Sequence, residues 1–232
     1  MNCRREMSGL LILGIDTACA CAKAALWEDG RVLAEEYADD MKTHSVKLMP
    51  MIDRLFKETG KTLAQVNLIG VITGPGSFTG LRIGVATAKA MAYSVNIPVV
   101  GINTLDFLAA SVSDSEGAIV CPVIDARNNS VYSNVYIDGK ALWKCEVRSV
   151  ETLTTGLKIL YEKTGRRVII TGDGAEKYFE EFTPAPEHEL PGVAAVICKM
   201  TEAMQDQASD CFTLNVNYYR QTQAERMKHE RT

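Results

Sequence analysis

Histidine is scarce in this chain. His44, His188 and His229 are the only three, and none has a second histidine four residues away. The His-x-x-x-His pairing of a metal-binding helix is therefore missing. There are seven cysteines, an odd number, scattered and without any Cys-x-x-Cys. That pattern excludes a disulfide framework or a zinc knuckle and fits a reduced intracellular chain. Cys19-x-Cys21 beside an aliphatic run reads as small core filling rather than a redox pair. Positive charge is not in excess: 25 Lys and Arg stand against 29 Asp and Glu, a net −4. A protein gripping nucleic acid over its whole surface needs a clustered basic footprint. The nearest clusters are Arg166-Arg167 and a tail with Arg220, Arg226, Lys228 and Arg231, and Glu225 and Glu230 dilute the latter. Both read as solvated surface.

Long apolar runs are also lacking. No stretch approaches the about 20 apolar residues of a membrane span. Arg4-Arg5, Leu10 to Ile15 and Ala18-Cys19-Ala20 imitate a signal peptide, but Asp16 cuts the apolar part short. A cytoplasmic location without membrane contact is expected. Neither a Ser-His-Asp arrangement nor Gly-x-Ser-x-Gly is present, so no hydrolase nucleophile can be named.

The sequence that is present falls into two similar halves. Leu10 to Ile15 and Ile119 to Ile124 are unbroken aliphatic runs, as in strands covered on both faces. Each run ends in an aspartate, Asp16 or Asp125. Second strands follow at Ala22 to Trp27 and Val131 to Ile137, closed by Asp29-Gly30 and Asp138-Gly139, which are hairpin turn signals. Ile72-Thr-Gly-Pro-Gly76 is echoed by Ile170-Thr-Gly-Asp-Gly174. This order predicts a duplicated strand-hairpin-helix-strand unit. Two such units describe an α/β, actin-like fold of two lobes, each a mixed sheet of five-stranded type with helices. Residues 1–106 form the expected N-terminal lobe, with 215–232 packing back on it, and 107–214 the smaller C-terminal lobe.

In working members of that fold the first hairpin of each lobe cradles phosphates, and glycine lets its backbone approach the anion. Here the hairpins read Asp16-Thr17-Ala18-Cys19 and Asp125-Ala126-Arg127-Asn128-Asn129, with no glycine. Asn128-Asn129 suits a tight left-handed turn. The cradle reads as degraded, with Asp16, Thr17 and Asp125 as its vestigial nucleotide-binding residues. The segment Gly74-Pro-Gly-Ser-Phe-Thr-Gly-Leu-Arg-Ile-Gly84 follows a strand and opens a helix. No Gly-Lys-Ser/Thr falls at P-loop spacing, and the dinucleotide fingerprint is also missed. Two readings stay open: an anion site on free helix amides, or glycines that let two backbones pack closely.

Two helices carry more apolar surface than one sheet can cover. In the first, from Thr43-His44-Ser45, the apolar positions Val46, Leu48, Met49, Met51, Ile52, Leu55 and Phe56 span over half the surface, and Pro50 implies a late start or a kink. The second, Leu81 to about Val95, is apolar nearly all round. A chain of this length has little left to cover both. They point to a partner interface of about 800 Å² per side, involving Val46, Met49, Ile52, Phe56, Ser77, Phe78, Thr79, Leu81, Arg82, Val85, Ala88 and Lys89. The same patch could pair with itself as a homodimer.

Leu13-Gly-Ile-Asp16-Thr17, His44-Ser45 with Pro50, the glycine-rich segment 74–84, Tyr219-Arg220 and Gln223-Ala-Glu-Arg226 together resemble the bacterial TsaB (YeaZ) family over essentially the whole chain from about Leu10. Met7 is a candidate initiator. The resemblance implies a non-catalytic scaffold in making N6-threonylcarbamoyladenosine (t6A) at adenosine 37 of tRNA. It further implies a heterodimer with a catalytic TsaD-type paralogue that carries the metal-binding histidines, a TsaE-type ATPase docking on the pair, and tRNA engaged through the complex. By the same analogy Tyr218 to Arg226 packs back on the first lobe. No cofactor is required by the isolated chain, and ATP or ADP is what a heteromeric interface would hold. The competing reading is an ATPase or small-molecule kinase of the actin-like fold using Asp16 and Asp125.

Overall fold

The structure is a computed structural model that describes residues 9–19, 21–38, 44–112, 115–180, 182–184 and 192–219. The chain divides into two compact units.

Unit 1 begins with β1 (Leu11–Asp16), β2 (Ala22–Glu28) and β3 (Arg31–Ala38). β1 and β2 pair antiparallel, as do β2 and β3. The Asp29-Gly30 turn between β2 and β3 is left-handed at both residues, as a tight hairpin requires. Then come α1 (His44–Thr59), β4 (Leu68–Gly74), α2 (Phe78–Val95), β5 (Val99–Asn103) and α3 (Thr104–Ala110). The sheet order is β3-β2-β1-β4-β5, with β4 parallel to both β1 and β5. β1 and β4 are buried at every residue, which is why both read as continuous aliphatic runs.

α1 starts at His44, ahead of Pro50 rather than after it. Pro50 supplies no amide to Val46 four residues back, and both positions are exposed, so water can satisfy that carbonyl.

Unit 2 contains β6 (Ile119–Asp125), β7 (Ser130–Ser133), β8 (Tyr136–Ile137), β9 (Lys140–Ala141), β10 (Glu146–Ser149), α4 (Val150–Thr164), β11 (Val168–Thr171), α5 (Ala175–Tyr178) and β12 (Thr183–Pro184). Its main path is β10-β7-β6-β11-β12. This repeats the order of unit 1, with β6 parallel to β11 and antiparallel to β7. The duplicated actin-like plan is thus present in both units. One feature differs from the expected five strands. The run Val131 to Ile137 is broken after Ser133, and β8 and β9 form an added hairpin on the other end of β6, making seven strands. Asp138-Gly139 is the turn of that hairpin, so its echo of Asp29-Gly30 is local and not topological.

The division between units also differs from that expected. Unit 1 extends to Ser111 and takes back the described residues up to Val216, and unit 2 holds Val112 onward. The cause is α6 (Val193–Ala203), which lies on the unit 1 sheet. Its Cys198 thiol donates to the Ala25 carbonyl at 3.5 Å. A Cβ on Gly70 of β4 would fall 1.7 Å from the Thr201 hydroxyl, so the missing side chain lets helix and sheet touch. Beyond α6, Ser209 bridges Val99 at the outer edge of β5. Of the segment expected to pack back, residues 217–219 group with unit 2 and 220–232 lie outside the described residues.

Candidate functional site

β1 and β2 pair in a register that sets Asp16 directly opposite Lys23. Asp16 is fully buried. Its Oδ1 accepts the Ala18 amide at 2.7 Å and its Oδ2 accepts the Lys23 ammonium at 3.1 Å. The ammonium also donates to the Cys21 carbonyl at 3.2 Å. Burial alone would lower the Lys23 pKa, but the Asp16 carboxylate beside it reverses this and holds it above the ordinary lysine range. A charge pair this deep is compatible with folding only because both charges are matched and hydrogen-bonded.

The glycine-rich segment packs onto this hairpin. The Ser77 amide donates to the Ala18 carbonyl at 2.8 Å, and the Ser77 hydroxyl caps α2 by accepting the Gly80 amide at 3.2 Å. Thr17, itself buried, donates its hydroxyl to the Gly80 carbonyl at 2.7 Å. A Cβ on Gly80 would lie 1.9 Å from the Thr17 carbonyl oxygen, and one on Gly76 would lie 2.7 Å from that of Ala18. The glycines serve backbone packing. Two of the four amides that a helix start offers are used inside the protein, by the Ala18 carbonyl and the Ser77 hydroxyl.

Unit 2 repeats the arrangement with different parts. Asp125 ends β6, and its Oδ1 accepts the Arg127 amide at 2.7 Å and the Tyr178 hydroxyl at 3.0 Å. Its Oδ2 accepts the Lys177 ammonium at 2.7 Å. Partial burial would raise its pKa, but the Lys177, Arg127 and Tyr178 donors outweigh this and hold it below the ordinary carboxylate range. Lys177 is pushed up to about 12, first by its hydrogen bond to Asp125. The turn has no glycine, and Arg127, Asn128 and Asn129 are all left-handed, with φ of 63°, 52° and 53°. Asn was expected there; Arg127 was not. Asp173, from the echoed Gly172-Asp-Gly174, accepts the Asp125 amide at 2.8 Å.

Asp16, Thr17 and Asp125 therefore occupy the hairpins as expected, but each is engaged by neighbours within its own unit. Lys23, Lys177, Tyr178 and Asp173 were missed. The sequence does hold a signal for Lys23, which lies as far from the first hairpin turn as Asp16 does. Lys177 and Tyr178 lie far from Asp125 in sequence and have none.

The twelve predicted interface residues separate into three groups. Val46, Met49, Phe78, Thr79 and Arg82 are exposed, and the Arg82 guanidinium stacks 3.8 Å above the Phe78 ring. Phe56, Ser77 and Lys89 are half-buried, and Lys89 donates to the Leu214 carbonyl at 2.8 Å. Ile52, Leu81, Val85 and Ala88 are buried, and their assignment to a surface is corrected. α1 and α2 bury Ile52, Val85 and Ala88 in the unit 1 core with Leu13, Ile69 and Val71. Beside the exposed face of α1 lies a groove of about 590 Å³ lined by Tyr37, Val46, Lys47, Pro50, Met51 and Arg54.

The family model described as TsaD: tRNA N6-adenosine threonylcarbamoyltransferase matches residues 31–179. The chain is 37% identical over 127 residues to a Bacillus subtilis protein, covering 55% of each chain. It is 36% identical over 137 residues to one from Escherichia coli, covering 58% of this chain and 59% of that one. Both relatives are named tRNA threonylcarbamoyladenosine biosynthesis protein TsaB. The chain spans about half the length of the curated relatives it matches. A crystal structure of an uncharacterized Pseudomonas aeruginosa protein with similarity to peptidase YeaZ has a TM-score of 0.76 at 24% identity. It covers 91% of this chain and 100% of that one, which shows the shared fold. The chain belongs to the TsaD family described as tRNA N6-adenosine threonylcarbamoyltransferase, and the relatives similar to it include proteins named TsaB.

Proposed function

We propose that this chain is the non-catalytic partner subunit for t6A formation on tRNA adenosine 37. It works in the cytoplasm beside a catalytic TsaD-type paralogue and a TsaE-type ATPase, and it self-associates when the paralogue is absent. One observation carries the reading. In each unit the strand-end aspartate accepts the amide two residues on and a lysine ammonium from the same unit. A catalytic or cation-binding carboxylate needs open lone pairs toward its ligand, and here a lysine ammonium already pairs with one oxygen of each carboxylate, buried at Asp16 and at the surface at Asp125. The relatives' names supply the pathway. The surface supports the role: Val46 is 72% exposed, Met49 50% and Phe78 41%. Large apolar side chains left in water on neighbouring elements favour a partner surface.

The test is reconstitution of tRNA modification from the purified paralogue and ATPase, with and without this chain. Modification is expected only with all three. Calorimetry with ATP and Mg²⁺ on the isolated chain gives the opposing outcome. Micromolar binding abolished by Asp16→Ala overturns the reading in favour of a nucleotide-binding ATPase or kinase.

A further inference from the structure

Unit 2 carries a pocket that neither the repeated hairpin nor the exposed helix face uses. It lies between α4 and the segment running into β10, has a volume of about 420 Å³, and is lined by Trp143, Lys144, Glu146, Arg148, Thr152 and Gly156. Glycine in a helix interior costs about 1 kcal/mol relative to alanine, yet Gly156 sits mid-way along α4. Trp143 explains it. A Cβ at position 156 would fall 2.8 Å from the benzo edge of the indole, so the missing side chain lets the ring lie on the helix.

The ring is also braced by Arg148, whose Cζ is 5.2 Å from the ring centroid, within cation–π range. That guanidinium is itself fixed. It donates to the Ser133 carbonyl at 2.8 Å, the Ser133 hydroxyl at 3.2 Å, the Lys144 carbonyl at 3.0 Å and the Glu146 carboxylate at 3.3 Å. Trp143 is thus a half-buried aromatic side chain lining the pocket, met at its benzo edge by α4 and covered on one face by Arg148.

The rim adds two chemistries to the ring. Lys144 is exposed, and the Glu146 side chain is 61% exposed with only one end tied to Arg148. An aromatic face stacks a base, a carboxylate accepts from an exocyclic amino group, and an ammonium meets a phosphate. An apolar peptide side chain would use the ring and leave both charges idle, whereas a nucleotide uses all three. We propose that this pocket holds one unpaired nucleotide of an RNA. A single-nucleotide site needs no broadly basic surface, so the net charge of −4 does not oppose it. The proposal takes its ligand class from the tRNA reading above but assigns this chain a direct contact.

The experiment uses the full chain. Trp27 is buried, so tryptophan emission open to stacking comes from Trp143. The chain is titrated with a single-stranded RNA of about 7 nucleotides, a blunt RNA duplex, polyphosphate and an aromatic-rich peptide. Saturable quenching by the single strand alone is expected. Trp143→Ala should weaken binding of the labelled strand about 10-fold or more. Lys144→Glu should weaken it severalfold and reduce the log–log salt slope by about 0.7, one phosphate. Thr152→Glu completes a Ser149-x-x-Glu capping box, so it should keep α4 intact while placing a second carboxylate at the rim. Equal quenching by polyphosphate or duplex, quenching by the peptide instead, or native affinity in both Lys144→Glu and Thr152→Glu overturns the proposal. Failure here with intact reconstitution removes only the pocket; binding here with a chain dispensable for modification removes only the proposed function.

Discussion

Replacing Lys23 with methionine tests the buried pair most directly. The side chains of Lys23 and Asp16 are 3% and 0% exposed, with 3.1 Å between Nζ and Oδ2. At an effective dielectric of about 20 the gross attraction at that distance is about 5 kcal/mol. Desolvation of two ions offsets most of it while both are present. Methionine keeps the length of the lysine stem but removes the charge, leaving the Asp16 carboxylate with the Ala18 amide as its remaining hydrogen-bond partner among those described. An uncompensated buried charge costs about 3–5 kcal/mol, a large part of the about 5–15 kcal/mol that holds a domain together. Asp16→Asn should also destabilise, because it strands the ammonium, although the amide oxygen still caps Ala18. The double variant should recover at least about 2 kcal/mol relative to the sum of the singles, since neither charge is then left alone. Urea unfolding of the four proteins measures the cycle. A single-variant loss below about 1 kcal/mol, or simple additivity, would refute the pair as the feature that closes this hairpin.

Three further outcomes follow from the geometry. Val46→Glu with Met49→Glu, both on the exposed face of α1, should change stability by no more than about 0.5 kcal/mol each and abolish association with the paralogue by size exclusion with light scattering; retained complex would remove α1 from the interface. Gly80→Ala should cost about 3 kcal/mol or more in thermal unfolding, because its Cβ would meet the Thr17 carbonyl oxygen at 1.9 Å and only backbone movement relieves it. The Tyr37 hydroxyl is raised to about 12, by burial first and then by its hydrogen bond to Glu35. Its folded value lies above the usual value near 10, so its contribution to stability is present below about pH 10 and is lost as pH rises toward about 12. Ultraviolet difference titration of the chain against Tyr37→Phe should show the late-titrating phenol, and a normal titration would count against the Tyr37–Glu35 contact.

The layout of unit 1 was legible because its strands obey simple rules. β1 and β4 are buried on both faces and therefore unbroken in aliphatic residues, and Asp29-Gly30 marks its turn openly. The second half was harder for a physical reason. β8 and β9 contribute two residues each, too few to show alternation, and they place an Asp-Gly turn where it copies the first half without sharing its topology. The interface was half legible. Periodicity shows that α1 and α2 are apolar over a wide arc, but not how much of that arc the chain covers itself. α2 packs against the sheet and against α1, so Leu81, Val85 and Ala88 are consumed internally, while Val46 and Met49 remain in water. The site was legible where it is local. Asp16 and Asp125 end strong strands, whereas Lys177 reaches Asp125 only through the path of the chain after β11.

The two hairpins close their aspartates by one device, yet with different permanence, and the difference lies in the element that carries the lysine. Lys23 stands on β2, opposite Asp16 in the ladder, so its ammonium cannot leave without loosening the hairpin that defines the unit. Lys177 stands on the short surface helix α5 with a side chain 55% exposed, and Asp125 is 24% exposed. A surface ion pair of that kind contributes little to stability, and rotation about the lysine stem exchanges it with solvent at little cost. Occupation of the Asp16 carboxylate thus follows from the register of the unit 1 sheet, which sets Lys23 opposite it, while at Asp125 it rests on a side-chain rotamer.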